Sequence, residues 1–372
     1  TIQHFAEKAL REGVVKSQAD RGTVVALHSK TGAILAMASY PEFDPNRYQN
    51  YSRAHHLNQA VTLGYEPGST FKMITIAAGL SEGLISPDQE FFCENGEYKI
   101  GINLIRDSSP HGVMTLQQVL KKSSNICAAK IGMSMPPTRF HEYIMRFGFG
   151  RRPNSGIAAE ATGRVISPKK WQTIDHANIS FGQAILVSPL QMVSAANVFA
   201  NEGEWVPPFI VEYAVDKKGN KLQEIKGVEG KGGHKFGLGV RSPVVEGSVA
   251  ELVRKYLISV TQKGGTAQRA AILGYQVAGK TGTSQIYDQQ LGRYSQTRYI
   301  ASFVGFAPAS DPLVTVLVVV EQPRTSIYGG TIAAPIFKEI VQRTLLFKDV
   351  LSFPEGNPEE TTALVETAVI RN

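Results

Sequence analysis

Gly64-Tyr-Glu-Pro-Gly-Ser-Thr-Phe-Lys72 carries the chain from a turn into an apolar helix. Glu66-Pro-Gly68 supplies the turn, and Phe71, Ile74, Ile76, Ala77, Ala78 and Leu80 make a largely apolar helix over about 70–82. Ser69 therefore stands at a helix N-terminus, where free N–H groups and the helix dipole favour negative charge. Lys72 follows three residues later, on the same helical face. A serine hydroxyl is a weak nucleophile at neutral pH and needs a base. A lysine can be that base only while it is neutral, and burial or a nearby cation lowers its pKa.

Two further patterns follow in order, Ser123-Ser-Asn125 and Lys280-Thr-Gly-Thr283. Each of the three is weak alone. Their order and spacing make the S-x-x-K, S-x-N, K-T-G set of enzymes that acylate their own serine on peptide or lactam carbonyls. Lys280 supplies the cation expected beside Lys72. The chain also holds two false matches. Lys30-Thr-Gly32 lies between Val24-Val-Ala-Leu27 and Ala33-Ile-Leu-Ala-Met37 and reads as a hairpin turn. Ser167-Pro-Lys-Lys170 repeats S-x-x-K, but no long apolar helix follows it.

Other chemistries are disfavoured. The eight histidines show no H-x-x-x-H or H-E-x-x-H spacing, so no metal and no cofactor is expected. No G-x-S-x-G elbow occurs, and nothing places Asp175-His176 near a serine. Net charge is +7, but the densest basic stretch, Lys217 to Arg241, lacks interleaved aromatics. It reads as a solvated, flexible excursion, and nucleic acid is not an expected partner. Two cysteines, Cys93 and Cys127, make no disulfide framework, and Cys127 reads as a small buried helix residue. The longest strongly apolar run, Val314 to Val320, is too short to cross a bilayer.

Length and an apolar content of 42% allow one large core or two modest ones. Helical spacing appears over 2–18, 115–133, 137–147, 188–201, 244–262 and 333–347. Strands are expected as a pair at 23–39, then at 275–284, 299–306 and 313–320. Strands from both chain ends thus flank a helical middle. The expected fold class is α+β, a mainly antiparallel sheet flanked by helices. Residues 349–372, with Glu355, Glu359, Glu360 and Glu366 and two prolines, read as a mobile tail.

The chain resembles the transpeptidase domain of class B, division-type penicillin-binding proteins. The resemblance rests on Gly64 to Lys72, Lys122-Ser-Ser-Asn-Ile126, Ser180-Phe-Gly-Gln183 with Ser188-Pro-Leu-Gln191, and Gly279-Lys-Thr-Gly-Thr283. Lys30 to Met37, Tyr328-Gly-Gly330 and Ala333-Ala-Pro335 fit as well. It covers roughly residues 1–348, expected as one transpeptidase domain of the penicillin-binding and serine β-lactamase fold, with an all-helical subdomain. It implies Ser69 as the acylated nucleophile, Lys72 as base, Ser123 as proton relay and Asn125 as holder of a substrate amide. Lys280, Thr281 and Thr283 would take the terminal carboxylate of a D-Ala-D-Ala stem peptide. Gly282 would let the strand approach the peptide, and the Ser69 and Thr283 N–H groups would form an oxyanion hole.

The implied partners are stem peptides, β-lactams as covalent ligands, division-complex membrane proteins and a glycosyltransferase. The implied location is an anchor in the cytoplasmic membrane with the catalytic domain outside it. Such members carry an N-terminal membrane helix and a pedestal module. The chain begins at Thr1 without either, and is expected to be a soluble fragment. Two alternatives share the fold. A β-lactamase would need a deacylating base, for which Glu160 and Glu142 are available; Ala158-Ala-Glu-Ala-Thr-Gly163 suggests a structural turn for Glu160. A β-lactam sensor would need an attached signalling part. Ser-Ser-Asn, rather than Ser-Asp-Asn, favours the transpeptidase.

Overall fold

The structure is a computed structural model. It describes residues 1–351 except 212–214, 219–227, 230–234, 237–239, 289 and 291. Most of the basic stretch and all of the expected tail beyond Leu351 lie outside the described residues.

Five antiparallel strands form the central sheet. They are β1 (Arg21–His28), β2 (Ile34–Tyr40), β3 (Ala278–Asp288), β4 (Arg293–Ala307) and β5 (Val314–Glu321), in spatial order β3-β4-β5-β1-β2. The N-terminal pair thus joins the C-terminal strands, Val24 opposite Val318 and Leu27 opposite Thr315. β1 and β5 are buried along nearly their whole length. Strands covered on both faces need no polar alternation, which is why β5 reads as an unbroken apolar run. Gly32, at φ +80°, turns the chain between β1 and β2, as the hairpin reading expected.

Helices cover both faces. α1 (Ile2–Ser17) packs on one, where a Cβ at Gly22 would strike Val14 and Leu10. On the other, Thr315 donates to Asn197 Oδ1 at 2.6 Å from the opposite strand parity. Along the chain, between β2 and β3, come α2 (Lys72–Ser81), α3 (Leu116–Lys122), α4 (Asn125–Met133), α5 (Pro137–Arg146), α6 (Thr173–Ser180), α7 (Pro189–Asn197) and α8 (Gly247–Thr261). α9 (Gly329–Leu351) packs against α1, β4 and β5 and runs three residues past the expected domain boundary.

Two expectations need correction. The helix read over 115–133 is two helices, broken at Ser123 and Ser124. Ser123 sits at φ 64°, and Ser124 Oγ caps α4 by accepting from the Cys127 N–H at 3.1 Å. The apolar spacing continues across the break, so periodicity did not reveal it. The cysteines, read as making no disulfide framework and Cys127 as a small buried residue, are joined: Cys93 bonds Cys127 with Cα atoms 5.2 Å apart. Their Cα atoms meet because the chain between α2 and α3 folds back over the start of α4.

Candidate active site

Ser69, Ser123, Asn125, Thr281 and Thr283 line one cavity of about 650 Å³. Three elements deliver them: the 3₁₀ turn Gly68–Phe71 that leads into α2, the α3–α4 break, and β3. Strand alternation divides the last motif. Thr281, Thr283 and Gln285 face the cavity, whereas Lys280 points inward and is fully buried.

The two lysines converge on one hydroxyl. Lys72 Nζ donates to Ser123 Oγ at 3.2 Å, to the Ser123 carbonyl at 2.5 Å and to Asn125 Oδ1 at 2.7 Å. Lys280 Nζ donates to the same Ser123 Oγ at 2.9 Å and to the Thr281 carbonyl at 3.1 Å. Two buried ammonium groups sharing one partner disfavour double charging. Burial holds Lys72 down to about 7, while Asp107 pulls it back upward. Burial, then repulsion from Lys72, pushes Lys280 well below the usual lysine range. A neutral lysine near physiological pH is what a serine nucleophile needs. Of the two causes the sequence suggested for Lys72, burial is the larger.

Ser123 is held in the left-handed region, a strained choice for serine that turns its Oγ toward both lysines. Gly282 is also required by packing. A Cβ there would lie 2.3 Å from Ser302 Oγ and 3.0 Å from the Pro67 carbonyl. Its bareness lets β3 press against the turn that carries Ser69.

Sequence reasoning missed Asp107. Its Oδ1 accepts from the N–H groups of Asn125 at 2.5 Å and Ile126 at 3.1 Å, and Oδ2 accepts from Ser124 Oγ at 2.6 Å. A carboxylate at a helix start satisfies orphan donors and complements the dipole. Nothing in the local sequence marks it, because its partners lie 17 to 19 residues away. Asp107, Gln183, Thr266, Tyr299 and Tyr328 also line the cavity.

The rejected candidates lie elsewhere. Ser167 is exposed before a three-residue turn, and Lys30 pairs with Asp311 at 3.4 Å. Glu160 is buried and accepts from the Asn154 N–H at 2.7 Å and the Ser155 N–H at 2.8 Å, which makes it the knot of its own turn. Glu142 pairs with Arg139 on α5. Neither lines the cavity that holds Ser69. Among the described residues no cluster suits a metal, and no helix is long and apolar enough to cross a membrane.

Glu66, three residues before Ser69, is a second unusual carboxyl. It accepts from the Ala184 N–H at 3.1 Å and from Tyr294 Oη at 3.0 Å, while its other oxygen is buried without a partner. Burial pushes it up to about 7. The native state therefore holds this proton more tightly than the unfolded chain. Its stability contribution is full below about pH 4.5 and is lost as pH rises toward 7. The expected loss is roughly 1.4 kcal/mol per pH unit over that window. Glu66→Gln should remove this slope. Thermal unfolding from pH 5 to 8 should show the variant gaining on the wild type as pH rises, and parallel curves would contradict it.

The penicillin-binding protein transpeptidase domain model matches residues 22–342. Over 366 residues the chain is 32% identical to the probable peptidoglycan D,D-transpeptidase PenA of Neisseria flavescens, covering 98% of this chain and 84% of that protein. It is 30% identical to the peptidoglycan D,D-transpeptidase FtsI of Buchnera aphidicola, covering 94% of this chain and 58% of that one. Penicillin-binding protein 3 of Mycobacterium tuberculosis, solved in complex with aztreonam, superposes with a TM-score of 0.85 at 30% identity, over 96% of this chain and 79% of that one. The chain belongs to the penicillin-binding protein transpeptidase domain family. It spans a little over half the length of several other curated relatives it matches.

Proposed function

We propose that this domain is a peptidoglycan D,D-transpeptidase acting through an ester on Ser69. The observation that carries the reading is Ser123 Oγ, held 3.2 Å from Lys72 Nζ and 2.9 Å from Lys280 Nζ beside the cavity that Ser69 lines. Neutral Lys72 takes the Ser69 proton as Oγ attacks the carbonyl of the penultimate D-Ala. The Ser69 and Thr283 N–H groups face the developing oxyanion. Ser123 passes a proton to the departing D-Ala nitrogen as the C–N bond breaks. An amine from a second stem then attacks the ester, and Ser69 regains its proton.

Substrate also completes the electrostatics. Among the described residues, Lys280 has no carboxylate bonded to it. The terminal carboxylate of a stem peptide, held by Thr281 and Thr283, would supply one and favour charged Lys280. Repulsion from that cation would in turn favour neutral Lys72. The peptide would lie along β3, an edge strand, as an added strand. A β-lactam would enter as a mimic of the same peptide end. The resemblance to division-type members favours a septal role, with division-complex membrane proteins and a glycosyltransferase as partners and a membrane anchor in the full protein. The engagement of Glu160 and Glu142 elsewhere speaks against a β-lactamase.

The test is a D-Ala-D-Ala-type thioester donor with a D-amino acid acceptor. The proposal expects acyl transfer to the amine in preference to water. Hydrolysis alone, unaffected by acceptor, would contradict it.

A further inference from the structure

The chain between α2 and α3 leaves the helical core and returns. Its root is a short antiparallel pair, Glu90–Phe92 with Val113–Thr115. Its outer part is a hairpin, Glu97–Ile100 with Asn103–Arg106. This outer hairpin has one buried side chain, Ile105, which packs with Ile126, Ala129 and Phe181. Ile102 at its tip is 97% exposed. Tyr98 and Ile100 pack half-buried beside Ile105, so packing holds the outer hairpin through only a few side chains.

Yet the excursion carries the groups that organise the second motif. Asp107 accepts three hydrogen bonds from Ser124, Asn125 and Ile126. The Arg106 carbonyl accepts from Asn125 Nδ2 at 2.9 Å. That bond fixes the amide so that Asn125 Oδ1 meets Lys72 Nζ. The covalent tie is the disulfide. Cys93 closes the root strand, Cys127 lies in the first turn of α4, and both are fully buried. Lys130 of α4 adds a bond to the Phe92 carbonyl at 2.8 Å.

We propose that the Cys93–Cys127 disulfide is a redox-sensitive positioning element for acylation: it keeps Asp107 and the Arg106 carbonyl seated on the Ser123–Asn125 segment, and its reduction slows the attack of Ser69. This rests on the acyl-enzyme reading above. A dithiol reductant supplies the two electrons. One of its thiolates attacks a protein sulfur and forms a mixed disulfide, and its second thiol then releases the protein. The products are two cysteine thiols and an oxidised reductant. Because both sulfurs are buried, the excursion must open locally before attack.

The Asp107 seat has a signature that loss of general stability lacks. The charged groups facing Lys72 are Lys280 on β3 and Asp107 on the excursion. Losing the nearby anion makes Lys72 easier to deprotonate, so the acid limb of the acylation profile moves to lower pH even as the maximal rate falls.

The experiment compares folded oxidised protein, the same protein reduced in place with dithiothreitol, and Asp107→Asn in both states. Acylation by a fluorescent penicillin is followed across pH, and hydrogen exchange is followed at the Asn125 and Ile126 amides. Thiol mass-tagging verifies reduction. We expect reduction to slow acylation about 10- to 100-fold, the scale of losing one hydrogen bond to a charged group. The acid limb should shift down and both amides should exchange faster. Asp107→Asn should reproduce all three changes, and reduction should add little to them, because the two act through one seat. Unchanged exchange and rate after verified reduction would overturn the proposal. So would equal slowing of Asp107→Asn and wild type by reduction. Hydrogen exchange reads the seat without any acylation. An oxidised protein that takes no penicillin but shows the exchange difference would sink the acyl-enzyme reading and leave the seat standing.

Discussion

Ser69→Ala is expected to abolish covalent labelling by a fluorescent penicillin, while Ser167→Ala leaves it at the wild-type level. Both serines open an S-x-x-K, so the pair isolates surroundings from pattern. Ser69 lies on the turn that enters a largely apolar, buried helix and lines the cavity beside Ser123, Thr281 and Thr283. Its lysine is buried and held down to about 7. Ser167 is exposed, and its Lys170 is exposed as well. Gel fluorescence at fixed time separates the two variants. Labelling of Ser69→Ala at the wild-type level would remove Ser69 from the chemistry.

Lys280→Ala is expected to slow acylation by about 10²–10³-fold, by analogy with the loss of one preorganised oxyanion donor. Lys30→Ala should leave the rate nearly unchanged. The contrast again uses one pattern in two settings. Lys280 is fully buried on β3 and donates to Ser123 Oγ. Its removal leaves that hydroxyl with one lysine and leaves an arriving carboxylate without a cation. Lys30 sits in the β1–β2 turn, half exposed, beside an Asp311 that is 88% exposed. Such surface pairs contribute little. The acylation rate constant at several penicillin concentrations checks both. Equal losses in the two variants would contradict the different surroundings assigned to them.

The parts legible in the sequence are those with long periodic signals or fixed spacing. β5 and the turn at Gly32 were readable because an unbroken apolar run and a glycine between two such runs have few other meanings. The three motifs were readable because each is local, and the structure brings them to one cavity. The missed features are short or act through space. Three-residue strands such as Glu90–Phe92 hold too few positions for a period. The break at Ser123 is set by Ser124 and by Asp107, which comes from another segment. The disulfide depends on an excursion folding back over 34 residues, which two cysteines alone do not announce. The helix Thr173–Ser180 is packed on several sides and shows little amphipathic contrast.

The central claim is that Ser69 forms an ester which waits for an amine. Making it requires Ser69 and a neutral neighbouring lysine. Breaking it with water requires a second base beside the ester; neither Glu160 nor Glu142 lines the cavity, and Asp107, which does, is occupied by the Ser124, Asn125 and Ile126 donors. The direct measurement is intact mass after exposure to penicillin and removal of the excess, followed over hours with peptide mapping. The account predicts one penicilloyl adduct, on the peptide containing Ser69, persisting for many minutes or longer. Loss of the adduct within seconds, with continued turnover of free penicillin, or an adduct on any other peptide, would contradict it.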